Sequence, residues 1–147
     1  MPPPLNASIE LRVRYAETDQ MGFVYHANYL VWCDMGRTEL IRRVWRPYAE
    51  LEREGLLLAV TDASLRYLQP ARFDDLVRIE TTLEAVRSRA VSFTYDVVRV
   101  GEDGSTRRLA TARTDLMALD PSGATRTLPR EMVQAFREAK AAREAGA

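Results

Sequence analysis

The stretch from Leu56 to Leu119 constrains the fold most, because β-branched and aromatic residues alternate there with polar ones. A period of two places successive side chains on opposite faces of a strand. Turn-forming segments at 70–75, 87–90 and 101–105 divide the stretch into four predicted strands. The positions that mark these strands are Ala63, Leu65 and Tyr67; Val77, Ile79, Thr81 and Leu83; Val91, Phe93, Tyr95 and Val97; and Ala110, Ala112, Thr114, Leu116 and Ala118. Their short connections predict hairpins, so neighbouring strands should run antiparallel.

One long helix is predicted before these strands. Between Ala27 and Val44, apolar or small residues recur at spacings of three or four, which makes one stripe along a helix of about five turns. The stripe consists of Tyr29, Cys33, Gly36, Leu40 and Val44. Pro47 ends this helix, and a short second helix is predicted to stop at Gly55.

The two ends of the chain complete the predicted architecture. Alternation of apolar and polar residues predicts a first strand over residues 9–15, after a proline-rich and flexible start at residues 1–7. Residues 129–147 are predicted to form a C-terminal helix, since Pro129 is a favourable first helical residue. The order of strand, long helix, antiparallel strands and terminal helix predicts an α+β fold in one domain over residues 1–147.

Composition excludes several classes of protein. Twenty-one basic residues balance 21 acidic ones, so the chain has no global attraction to nucleic acid or to an anionic membrane surface. No stretch approaches the roughly 18 apolar residues that a membrane-spanning helix needs, and the start MPPPLNASIE lacks the features of a secretory signal. The single cysteine, Cys33, excludes an internal disulfide. We therefore expect a cytoplasmic protein with no membrane span and no nucleic-acid partner.

The segment between the first strand and the long helix concentrates ionisable and turn-forming residues. These residues are Glu17, Thr18, Asp19, Gly22, Tyr25 and His26. The helix that follows directs its unpaired N–H groups and the positive end of its dipole back at this segment, which suits a developing oxyanion. A carboxylate beside that helix end can act on an electrophilic carbonyl. Asp19 could attack as a nucleophile or accept a proton from water as a general base.

Structural roles are the alternative for these residues. Asp19 could cap the helix or close a turn, because aspartate is common in loops. His26, the only histidine, could be a packed or partly exposed ring at the helix start. One histidine and one cysteine cannot make a histidine-rich or thiolate metal site, and the carboxylates lack EF-hand spacing. The sequence also lacks G-x-S-x-G and the glycine-rich phosphate loops, so no cofactor is predicted.

The segment RYAETDQMGFVYHANYLVWCDMGRTELIR resembles the signature of hotdog-fold thioesterases of the 4-hydroxybenzoyl-CoA thioesterase type. It is similar in particular to the acyl-CoA thioesterase branch found with the Tol-Pal envelope system, whose pattern is Y-x-x-T-D-x-x-G-x-V-Y-H-x-x-Y followed by R-x-E. The matching residues are Tyr15, Thr18, Asp19, Gly22, Val24, Tyr25, His26, Tyr29, Arg37 and Glu39. A second stretch, SLRYLQPARFDDLVRIET, resembles the family's Y-x-x-P-x-x-x-D-D-x-L, and the similarity covers roughly residues 8–120.

The resemblance implies a hotdog fold, in which a curved antiparallel sheet wraps a long central helix. It implies hydrolysis of acyl-CoA to the free acid and CoA, with Asp19 as nucleophile or general base. Backbone N–H groups near Tyr25 and His26 would polarise the thioester carbonyl, and Gly22 would lie against the substrate. It also implies a homo-oligomer, with paired protomers that usually assemble into tetramers and active sites that lie between protomers.

Coenzyme A carries phosphates, which a protein of zero net charge must bind with local arginine or lysine side chains. Arg87 and Arg89 match in position a basic turn of the family, and Arg126 and Arg130 are further candidates near the last turn. The alternative for each is an ordinary solvated arginine.

The sequence departs from the family pattern at two positions. Phe23 stands where a smaller apolar residue is common, which is expected to reshape the acyl pocket. Asp34 stands where glutamate is common, which is expected to alter hydrogen bonding around the site.

Two alternative functions stay open at this point. One is a hotdog hydratase of enoyl thioesters with His26 as the base, and the other is a non-catalytic acyl-CoA-binding module. The preferred acyl group is expected to depend on how Phe23, Trp32, Leu57 and Tyr67 pack.

Overall fold

The computed structural model describes residues 6–146. The elements are β1 (Asn6–Arg12), α1 (Asn28–Val44), α2 (Tyr48–Arg53), β2 (Leu57–Tyr67), β3 (Leu76–Val86), β4 (Ala90–Val100), β5 (Thr106–Leu119) and α3 (Arg130–Gly146). Most of the start that was predicted to be flexible, residues 1–5, lies outside the described residues. Residues 6 and 7 of that start belong to β1.

The five strands form one antiparallel sheet in the order β1-β3-β4-β5-β2. The turn signals predicted three hairpins, of which β3–β4 and β4–β5 form. The hairpin predicted at 70–75 was wrong, because β2 does not pair with β3. Strand β2 crosses to the far edge and pairs with β5, from Leu57 opposite Leu119 to Tyr67 opposite Ala110. Register shifts lie at Val60/Asp62, Leu83/Ala85 and Val97/Val98. Such bulges bend strands, which lets the sheet curve.

Helix α1 packs on one face of this sheet. The predicted stripe is buried along its whole length, from Tyr29 to Val44. Gly36 allows the closest approach, because a Cβ atom at this position would overlap Thr81 Oγ1 and lie 3.1 Å from Ile79 Cγ2. The main core therefore lies between α1 and the sheet, and the predicted α+β architecture is confirmed.

Strand β1 ends earlier than the alternation predicted. Residues Tyr15–Glu17 form a 3₁₀ turn, and the Tyr15 side chain is 77% exposed instead of facing inward. Glu17 closes this turn, since its carboxylate accepts the Arg14 N–H at 2.7 Å, while Thr18 Oγ1 donates to Tyr15 O at 2.7 Å. The turn redirects the chain toward the start of α1.

Helix α3 begins at Arg130, one residue after the predicted start. It buries Met132, Phe136 and Ala139 against the rest of the core. Within residues 6–146, no helix is both long enough and apolar enough to cross a membrane.

Candidate active site

Asp19 lies in a tight turn that precedes α1. Its Oδ1 accepts the N–H groups of Met21 at 2.8 Å and Phe23 at 3.3 Å. The Gly22 N–H donates to Asp19 O at 3.0 Å, and the turn requires glycine there because its φ is +81°. Asp19 therefore does close a turn, as the alternative interpretation predicted, and it does so through Oδ1. Among residues 6–146, no protein donor contacts Oδ2.

Asp19 does not cap the long helix. The residue at the N-cap of α1 is Ala27, which offers no side-chain oxygen to the helix N–H groups. Asp19 therefore accepts no hydrogen bond from the first N–H groups of the helix, and the predicted capping role was wrong.

The backbone N–H groups at the start of α1 differ in availability. The Tyr25 N–H donates to Glu17 O at 2.8 Å, so it is not free to bind a substrate. The N–H groups of His26 and Ala27 have no acceptor within the described part of the chain, and both residues are exposed. Backbone N–H donors were predicted near Tyr25 and His26. The available ones are the N–H groups of His26 and Ala27.

Glu17 holds this region together and was given no role by the sequence analysis. Its buried Oε2 accepts the indole N–H of Trp32 at 2.9 Å, and its backbone oxygen accepts Asn28 Nδ2 at 2.9 Å. Burial raises the pKa of the Glu17 carboxyl, but hydrogen bonds from the Arg14 N–H and from Trp32, with the Arg14 charge, outweigh burial and the net pKa is lowered. The signal in the sequence is a glutamate at the third position of a helical turn, as in a capping box.

An open cleft of about 360 Å³ adjoins Asp19. Its lining includes Asp19, Phe23, His26, Tyr29, Tyr67 and Pro70. A mostly apolar wall with a few polar groups is typical of small-molecule sites, which measure roughly 300–1,000 Å³. Gly22 and Tyr25 are not part of this lining, although a Cβ at Gly22 would meet no atom within 4 Å.

Two of the four side chains that were expected to shape an acyl pocket do line this cleft, namely Phe23 and Tyr67. Trp32 does not, because it is 1% exposed and its indole is bound to Glu17. Leu57 starts β2, whereas Tyr67 at the cleft ends that strand. The periodicity of a helix shows which side chains are buried but not whether they face a cavity.

The loop after β2 forms the second wall of the cleft. The Val24 N–H donates to Ala71 O at 2.8 Å, and the Ala71 N–H donates to Tyr29 Oη at 3.1 Å. The Phe23 ring lies under the Arg72 guanidinium, whose carbon is 4.8 Å from the ring centroid. These contacts fix the Asp19 turn against the loop.

The His26 ring lies beside two aromatic rings and not beside a carboxylate. Its centroid is 4.4 Å from that of Tyr25 and 6.4 Å from that of Tyr67. Within residues 6–146, His26 has no side-chain hydrogen bond, and no three His, Cys, Asp or Glu side chains group closely enough to hold a metal ion.

The structure does not bring Arg87 and Arg89 to Asp19 within one chain. Both are exposed in the β3–β4 hairpin, whereas the start of β3 adjoins the Asp19 turn. The 11 residues of β3 separate these ends by roughly 30 Å. The alternation of strands could have shown this, because each antiparallel strand reverses the chain and places 70–75 and 87–90 at opposite ends of the sheet.

The other two arginine candidates also lie away from Asp19. Arg126 donates to the backbone oxygens of Thr127 at 3.0 Å and Gly55 at 3.4 Å. Arg130 and Ser88 line a separate cleft where α3 meets the β3–β4 hairpin.

The chain matches a family model described as the thioesterase-like superfamily over residues 13–136. It is 30% identical over 129 residues to the acyl-CoA thioester hydrolase YbgC of Escherichia coli O6:H1, which covers 87% of this chain and 93% of that protein. It is 41% identical over 88 residues to the putative acyl-CoA thioesterase YneP of Bacillus subtilis strain 168, which covers 60% of this chain and 64% of YneP. The DHNA-CoA thioesterase structure from Staphylococcus aureus superposes with a TM-score of 0.88 and 26% identity, covering 97% of this chain and 95% of that one.

Proposed function

Because this chain belongs to the thioesterase-like superfamily, we propose that Asp19 is the carboxylate with which it hydrolyses the thioester bond of acyl-CoA. The predicted resemblance, the hotdog fold and the thioester-hydrolase activity are confirmed. The roles of individual residues, the partner protomer and the location are proposals.

One observation supports the proposal most. Asp19 lines a cleft that also adjoins the start of α1, where the N–H groups of His26 and Ala27 have no acceptor among residues 6–146. A thioester carbonyl in this cleft would meet a carboxylate and unpaired N–H donors together. The positive end of the α1 dipole stabilises the oxyanion that forms when the carbonyl is attacked.

Asp19 can act in two ways, and both produce this oxyanion. As a nucleophile, Oδ2 attacks the carbonyl carbon, the C–S bond breaks with release of CoA thiolate, and water then hydrolyses the mixed anhydride. As a general base, Oδ2 takes a proton from a water molecule whose oxygen attacks the carbonyl carbon; collapse of the oxyanion then breaks the C–S bond, and the CoA thiolate leaves and takes up a proton. The hydrogen bonds to Oδ1 orient the carboxylate in either case.

A second copy of the chain is part of this proposal. Arg87 and Arg89 can contact CoA phosphates at an Asp19 site only if a partner protomer contributes them, since they lie at the other end of their own sheet. No ion pair involves either guanidinium among the described residues, so both are available for phosphate.

Strand β2 is the edge at which we place the partner. It is 11 residues long and pairs with β5 on one side only. Val60, Tyr67 and the adjoining Leu68 are exposed by 43–48%. A long edge strand presents a row of unpaired N–H and C=O groups that can pair with another chain, and pairing here would bring a second protomer beside the cleft. We propose a dimer with active sites between protomers, and tetramers built from such dimers.

A cytoplasmic location is also proposed. The single cysteine, Cys33, is buried and unpaired, and burial raises its pKa to about 12. It therefore stays a thiol and acts as a packing residue of α1.

The reaction is tested by incubating the purified protein with short, long and aromatic acyl-CoAs while a colorimetric reagent traps released thiol. Thiol release in proportion to enzyme supports hydrolysis and ranks the acyl groups. Loss of the enoyl absorbance of an enoyl-CoA without thiol would instead indicate a hydratase. Binding of acyl-CoA without either change would indicate a non-catalytic binding module.

A further inference from the structure

The peptide unit that joins His26 and Ala27, just before α1, is held by a side chain from the end of β2. The Tyr67 hydroxyl, at the end of β2, donates to the backbone oxygen of His26 at 2.9 Å. That oxygen belongs to the same peptide unit as the Ala27 N–H. Because the peptide bond is trans, its C=O and N–H point in opposite directions, so fixing one fixes the other.

We propose that Tyr67 is a positioning residue, whose hydroxyl orients the His26–Ala27 peptide so that the Ala27 N–H serves as a donor to the thioester oxyanion. This inference rests on the proposed hydrolysis at Asp19. It adds a positioning role for the hydroxyl of Tyr67, a residue that the sequence predicted only as an acyl-pocket side chain.

Helix geometry alone does not hold this peptide. Ala27 is the N-cap of α1, and its N–H has no acceptor within the described residues. Among residues 6–146, the only backbone donor to His26 O is the Tyr29 N–H, at 3.3 Å, which is long for such a bond. The Tyr67 hydroxyl therefore makes the shorter of the two hydrogen bonds that orient the peptide.

The Tyr67 ring is itself held in place. The Tyr29 ring packs against it edge to face, with centroids 5.1 Å apart and planes at 85°. Tyr29 is buried and its own hydroxyl accepts the Ala71 N–H. Burial raises the pKa of Tyr67, so the hydroxyl stays protonated and donates at neutral pH. The donor is thus anchored to β2 and its following loop.

The test compares Tyr67→Phe with a matched control, Tyr48→Phe. Tyr48 is also a half-buried tyrosine whose hydroxyl makes one backbone hydrogen bond, accepting the Leu58 N–H at 2.8 Å, but it does not line the Asp19 cleft. Steady-state kcat and KM are measured for one acyl-CoA, together with the melting temperature of each variant.

We expect Tyr67→Phe to lower kcat roughly five- to tenfold, because the loss of one hydrogen bond weakens stabilisation of the transition state. KM should stay within about twofold of the wild-type value. Tyr48→Phe should keep the wild-type kcat even if its melting temperature falls. A Tyr67→Phe enzyme with wild-type kcat, or one in which only KM rises, overturns the positioning role while the proposed hydrolysis stands. Absence of thiol release by the wild type overturns both.

Discussion

At Asp19 the two carboxylate oxygens have different environments. Oδ1 accepts two backbone N–H groups of its own turn, whereas Oδ2 has no protein donor among residues 6–146. An asparagine could keep the first arrangement through its amide oxygen but would lose the charge at the second. Asp19→Asn therefore removes the carboxylate charge while the side-chain oxygen can still accept the hydrogen bonds of the turn.

Glu17 gives the molecule an acid-sensitive contact. Its folded-state pKa lies below the ordinary value of 4.5, so the ionised carboxylate stabilises the fold above about pH 4.5, and this stabilisation is lost as pH falls through the lower folded-state pKa. We predict that Glu17→Gln is less stable at neutral pH by about 1–3 kcal/mol, since an amide cannot accept from both Arg14 and Trp32.

The measurement is the melting temperature between neutral and acidic pH. Glu17→Gln should lose less stability on acidification than the wild type. Glu52→Gln, at an exposed glutamate of α2, is the control and should follow the wild type. If Glu17→Gln and wild type have superimposable profiles, Glu17 is not the acid-sensitive contact.

At the scale of the elements, α1 was predicted almost completely and β1 was not. The stripe of α1 repeats over five positions, so one pattern defines the whole buried face. Strand β1 shares its alternation with the turn that follows, and hydrogen bonds from the Arg14 N–H to Glu17 and from Thr18 Oγ1 to Tyr15 O form the turn that ends it. Periodicity shows which side chains are buried, whereas this boundary depends on side chains that bond to the backbone.

The contact between α1 and β3 gives a prediction at this scale. Gly36→Ala should destabilise the protein by about 1–3 kcal/mol, because the added Cβ would overlap Thr81 Oγ1. Alanine by itself favours a helix by about 1 kcal/mol, so the direction of the effect reports packing. Urea denaturation measures it.

A second substitution provides the control. Thr81 Oγ1 is buried and has no hydrogen-bond partner in the described part of the chain, so Thr81→Ala removes the overlapping atom and breaks no hydrogen bond there. The double variant should therefore recover part of the stability lost in Gly36→Ala. A Gly36→Ala protein at least as stable as the wild type would contradict this description of the interface.

At the scale of the whole molecule, the sequence predicted the fold better than the site. The motif placed Asp19 and His26 beside the start of α1, and both line the cleft. The resemblance also implied that Arg87 and Arg89 bind CoA at a site between protomers, and within one chain they lie at the other end of the sheet. Which residues meet across a partner protomer depends on an interface that no local pattern in the sequence describes.

The proposed dimer predicts a mass above that of the 16.7 kDa chain in sedimentation velocity. Val60→Lys, on the β2 edge, should shift the protein toward monomer and lower its thioesterase activity, because a charge would be buried between protomers. Val31→Lys is the matched control: Val31 lies on α1 and is 49% exposed against 48% for Val60. It should leave the dimer intact, and dissociation by Val31→Lys alone would place the interface elsewhere.

The most direct measurement is the rate of thiol release from acyl-CoA by wild type, Asp19→Asn and Asp120→Asn. Asp120 is the matched control, since its Oδ1 also accepts two backbone N–H groups of its own turn, from Ser122 at 2.8 Å and Ala124 at 3.2 Å. Asp19→Asn should lose at least about 100-fold in kcat while keeping the wild-type melting temperature, and Asp120→Asn should keep wild-type kcat. A folded Asp19→Asn enzyme with wild-type turnover would show that Asp19 is not the catalytic carboxylate.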